Sequence, residues 1–83
     1  MANAVRLIDL GMPQPTADEL AAQIEAQTGD FDRLIGVAVE PLLAKELATQ
    51  IDGGTVSGPR FVDHGLVPEL AVEVAAQITA DRP

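Results

Sequence analysis

The chain has no cysteine, no tryptophan and no tyrosine, and only two phenylalanines, Phe31 and Phe61. Lack of cysteine removes disulfides, thiolate zinc sites and iron–sulfur clusters, and it fits a reducing compartment. Lack of Trp and Tyr removes the flat platforms on which bases and sugars stack. Positive charge is scarce too: one lysine (Lys45) and four arginines face 13 acids, for a net charge of −8. Phosphate-backbone affinity comes from clustered Lys and Arg that release counterions, so direct DNA or RNA binding is not expected. The same charge disfavours anionic membrane surfaces. No apolar run approaches the roughly 20 residues of a membrane span. Met1-Ala2-Asn3-Ala4-Val5 lacks the basic region and apolar stretch of a signal peptide, so secretion by that route is not expected either.

What the chain does have is an internal repeat. Residues 6–24, 33–51 and 60–78 align without gaps at a spacing of 27. Six columns are identical in all three units: Arg6/Arg33/Arg60, Ala17/Ala44/Ala71, Glu19/Glu46/Glu73, Ala21/Ala48/Ala75, Gln23/Gln50/Gln77 and Ile24/Ile51/Ile78. Chance would give about 0.2 such columns in one register. Each unit predicts a short helix, a Gly/Pro turn and a longer helix. Gly11 and Gly65 suit a left-handed helix end; Ala38 stands in that column in the middle unit, where a weaker or differently shaped cap is expected. Pro13 and Pro15, Pro41 and Pro68 suit a first helical turn, and Thr16 with Glu19 fits a capping box. In the longer helix Leu43, Ala44, Leu47, Ala48 and Ile51, like Leu70, Ala71, Val74, Ala75 and Ile78, form one apolar stripe at helical period. The predicted fold is all-α: three tandem helix-turn-helix units joined by polar connectors, residues 25–32 and 52–59, in one small domain or array. Phe31, just outside the repeat, is expected to plug a gap between the first two units.

No constellation predicts chemistry. His64, the single histidine, falls in the column of Leu10 and Val37 and is read as a packed helix end, because a general base needs an oriented partner. Asp52-Gly53-Gly54 and Gly58-Pro59 lack the Lys-Ser/Thr of a phosphate loop. Asp30 and Asp32 lack the twelve-residue calcium pattern, and Ser57 lies in no nucleophile motif. The expectation is a non-enzyme with no cofactor, no metal and no small-molecule substrate. The Arg, Glu and Gln columns admit two readings: internal pairing within or between units, or three equivalent polar faces on a multimeric partner.

In detail, Leu7, Leu10, Gly11, Pro13, Ala17, Glu19, Leu20, Ala21, Gln23 and Ile24, with their counterparts through Ile51 and Ile78, resemble small tandem-repeat proteins of tailed-phage structural genes. The units of those proteins follow L-x-x-L-G-x-P-x-x-L-A-x-E-L-A-x-Q-I. The middle unit departs at Gly36 and Ala38. The resemblance implies a virion component attached to the head or its vertex, decorating or stabilising a lattice, with a multimeric capsid or head protein as partner; outside a phage the expected location is cytoplasmic. The alanine-lined stripes are expected to dock against one another and against that partner, with partner contact through Leu43, Leu47, Ile51, Leu70, Val74 and Ile78 on the stripes and through Arg6, Arg33 and Arg60. A small chain with this core is also expected to lean on that partner for stability. The alternative is a small acidic regulator, an antitoxin or DNA mimic, that occupies a basic cleft.

Overall fold

Asn3, Asp30 and Ser57 stand 27 residues apart and have side chains that favour helix starts. In the computed structural model, which describes residues 1–82, each opens a helix of six residues: α1 (Ala4–Asp9), α3 (Phe31–Gly36) and α5 (Gly58–Asp63). Six residues are too few for a helix to persist on its own hydrogen bonds. Packing holds all three in place, and side-chain caps add to it in α1 and α3. Asn3 and Asp30 accept the N–H of Arg6 and Arg33 at 3.2 and 3.1 Å, and Leu7, Leu34 and Phe61 are fully buried.

All three short helices end in the same turn. The N–H groups of Gly11, Ala38 and Gly65 bond to the carbonyls of Ile8, Ile35 and Val62, and those of Met12, Val39 and Leu66 bond to Leu7, Leu34 and Phe61. That pair of bonds is the Schellman closure, which requires a left-handed residue. Gly11 and Gly65 supply it at φ 107° and 102°; Ala38 does so at φ 67°. The middle cap therefore keeps the hydrogen bonds of its siblings, and its difference lies in the strain of a Cβ in the left-handed region.

The long helices follow: α2 (Gln14–Ala26), α4 (Pro41–Ile51) and α6 (Pro68–Asp81), each with proline in its first two positions. The expected capping box does not form. Because α2 begins at Gln14, Thr16 is already inside the first turn, and its hydroxyl donates to the Val37 carbonyl at 2.9 Å. Among the described residues there is no strand, and no helix is long and apolar enough to cross a membrane.

Each short helix packs on the long helix of its own unit and on that of the preceding unit, and α1 packs against α6. The three units therefore close on themselves. The body measures 28 × 24 × 22 Å, a compact bundle and not an extended string. Ala17, Ala44 and Ala71 have almost no exposed surface; these small side chains let the elements approach closely. Gly29 serves a similar end, since a Cβ there would overlap the Ala48 carbonyl. Phe31 is half-exposed and borders Lys45, Ala48 and Thr49 of its own unit. It does not fill a gap between units one and two, because Gly29 already brings the connector onto α4.

Candidate functional site

The polar columns act as clamps between units. Gln23, Gln50 and Gln77 are buried, and buried amides need partners. The Oε1 of each accepts the backbone N–H of the residue opening the next short helix (Asp30, Ser57 and Asn3) at 2.9 Å. The Nε2 of each donates to the carbonyl of that same residue at 3.2, 3.2 and 3.1 Å. The other Nε2 hydrogen goes to Glu19, Glu46 and Glu73 four residues earlier, at 2.9, 2.8 and 2.9 Å. Each carboxylate also meets an arginine of the following unit: Arg33 on Glu19 at 3.2 Å, Arg60 on Glu46 at 3.1 Å and Arg6 on Glu73 at 3.2 Å. The third clamp runs from the last unit back to the first.

These contacts hold all three carboxyls below their ordinary value of 4.5. For Glu19 the Arg33 hydrogen bond is the larger cause and Gln23 the second. For Glu46 and Glu73 the amides of Gln50 and Gln77 lead, with Arg60 and Arg6 contributing less. A carboxylate held ionised and occupied on both oxygens is a fastening. Of the two readings of the Arg column, the geometry is the internal one, between neighbouring units.

The apolar stripes turn inward. Leu43, Leu47, Ile51, Leu70, Val74 and Ile78 are all buried in the core: the stripes dock against one another, as expected, and the expectation that the same side chains also form a partner face is corrected. Three short helices laid over three long ones leave the stripes facing one another. Two hollows remain open at the ends of the bundle. At the C-terminal ends of the long helices, Ile24, Ile51 and Ile78 line a space of about 280 Å³ bordered by Gln27, Asp52 and Arg82. There Arg82 donates to the Gln50 carbonyl and Gln27 to the Asp81 carbonyl.

At the opposite end, an apolar hollow of about 520 Å³ opens between the turns of units one and two. Its floor is Leu20, Leu43, Leu47 and Leu70, and its walls include Met12, Val39 and Leu66, which are 27 residues apart. Glu40 is the only charged residue of its lining. Three of the predicted contact residues thus reach the hollow as its floor. The wall residues were not anticipated, although their common spacing places them one step past each Gly/Ala turn. The helix-opening trio Asn3, Asp30 and Ser57 was missed because it lies outside the aligned segments, Asn3 before the first and Asp30 and Ser57 in the connectors.

No family model matches the chain, and no curated protein or solved structure matches it either.

Proposed function

We propose that this chain is a non-enzymatic interaction protein that holds an apolar segment of a larger partner in the hollow between its first two turns. The observation that carries this reading is the hollow itself. A chain that encloses its stripes and satisfies its buried amides still leaves about 520 Å³ open and lined by leucine, valine and methionine, the composition typical of binding pockets. The acidic rim at Glu40 suits a segment with lysine or arginine beside its apolar side chains. In the setting that the phage resemblance implies, the partner is a multimeric head or capsid protein and the chain is part of the virion.

Val39→Asp and Leu66→Asp test the reading, because both residues are only partly buried and both wall the hollow. Each should abolish cosedimentation with phage particles while helicity is retained, and Val72→Asp on an exposed face should leave it intact. Wild-type cosedimentation that survives both wall substitutions sinks the proposal.

One observation favours the second reading, an acidic regulator that occupies a basic cleft. Three of the five basic side chains are engaged by Glu19, Glu46 and Glu73, which leaves Asp9, Asp18, Glu25, Asp32 and Glu69 exposed. Such a complex would weaken steeply with salt, whereas one seated in the apolar hollow would not.

A further inference from the structure

A threefold repeat carries its own controls, because a position that differs in one unit can be compared with two siblings in the same fold. Between α4 and α5 lies a groove of about 610 Å³, lined by Lys45, Thr55, Ser57, Arg60 and His64 among others. It shares no lining residue with the apolar hollow. The Lys45 column holds Asp18 in unit one and Val72 in unit three; the His64 column holds Leu10 and Val37. At this interface alone, an acid or an apolar residue is replaced by lysine and an apolar residue by histidine. The chain's single lysine and single histidine meet in one groove.

The charge follows the same pattern. Lys45 and Arg60 face one carboxylate in this groove, Glu46. At the equivalent α2/α3 interface Arg33 pairs with Glu19 and also feels the charge of Asp30, and the Lys45 column holds a third acid, Asp18. Glu46 engages Arg60 through Nε at 3.1 Å, so the terminal guanidinium nitrogens still have N–H groups to offer. The Ser57 hydroxyl does not cap its own helix, and Thr55 adds a second hydroxyl. An ammonium, guanidinium N–H groups, an imidazole and two hydroxyls make a set of donors with one neutralised acid among them.

We propose that the α4/α5 groove binds a phosphate group, either free or as a small phosphomonoester. Lys45 supplies the point charge, Arg60 the directed N–H donors, and His64 and the Ser57 and Thr55 hydroxyls the remaining hydrogen bonds. The volume leaves space for a small organic body beside the phosphate.

The test is a titration of the full ¹⁵N-labelled chain with inorganic phosphate and, separately, with glycerol 3-phosphate at constant ionic strength. Saturable amide shifts centred on Lys45, Thr55, Ser57, Arg60 and His64 are expected. Tighter binding of glycerol 3-phosphate marks the monoester as the ligand; equal affinity marks the phosphate group alone. Lys45→Asp and His64→Leu install the residues that unit one already carries in those columns, and Lys45→Met removes charge without adding an acid. Each Lys45 variant should weaken the apparent Kd about tenfold, the equivalent of roughly 1.4 kcal/mol, with the thermal transition unchanged. Shifts that drift without saturating, that centre elsewhere, or that persist at wild-type affinity in both Lys45 variants overturn the proposal.

Discussion

Ala38 is the residue at which this chain departs from its own pattern. It holds a left-handed turn that Gly11 and Gly65 make without a Cβ. The strain of an L-residue there is about 1–2 kcal/mol, partly offset by the extra freedom glycine brings to the unfolded chain, about 0.4–1 kcal/mol. Ala38→Gly is therefore expected to stabilise by roughly 0.5–1 kcal/mol, read as a rise in the urea midpoint at unchanged m-value. Gln50 gives the opposite case. Its buried amide satisfies the Ser57 N–H, the Ser57 carbonyl and Glu46; truncation removes the partner of both Ser57 backbone groups and leaves Glu46 with Arg60 alone. Gln50→Ala should cost about 3 kcal/mol or more, lowering Tm by roughly 15 °C in a domain of this size. A loss below about 1 kcal/mol would mean that water replaces the amide.

The clamps belong to the scale of elements, because each fastens a long helix to the next short one. Their arginines are largely exposed, so each ion pair is worth at most about 1 kcal/mol, and the amide is the stronger link. A double-mutant cycle on Arg60 and Glu46 should therefore give a small coupling energy that shrinks with salt. The acid response has a definite sign. Each carboxyl is held below 4.5 in the fold, so below that value the unfolded chain binds more protons. Stability from the clamps is complete above about pH 4.5 and is lost as pH falls through the folded values. Glu46→Gln should lose less stability between pH 6 and pH 3.5 than the parent chain, as measured by urea midpoints at the two pH values.

For the whole molecule the decisive feature is closure. Gln77 and Glu73 reach back to Asn3 and Arg6, and α6 packs on α1, so every unit has two neighbours. An open array would lose one unit and keep the others, because stability in such arrays is a sum over neighbours. A closed trio instead loses two interfaces and exposes Ile24 and Ile51 together. Removal of residues 58–83 should abolish cooperative thermal melting, followed by circular dichroism; a folded two-unit fragment would refute this. Closure also gives the stripes one another as neighbours, the mutual packing that their helical period leads one to expect.

How much of this could be read from the residues alone follows from which interactions are local. Helical period, proline at long-helix starts, glycine at short-helix ends and the 27-residue recurrence depend on neighbours within a few positions, and they determined an all-α chain of paired short and long helices. Thr16 misled because a capping box and a first-turn threonine look alike until the preceding turn is placed. The direction in which the stripes face was decided only in three dimensions. A surface stripe and a core stripe have the same sequence, and the difference is whether the last unit returns to the first. The same holds for Lys45 and His64, 19 positions apart and in different helices, which become groove neighbours only when α5 lies down on α4.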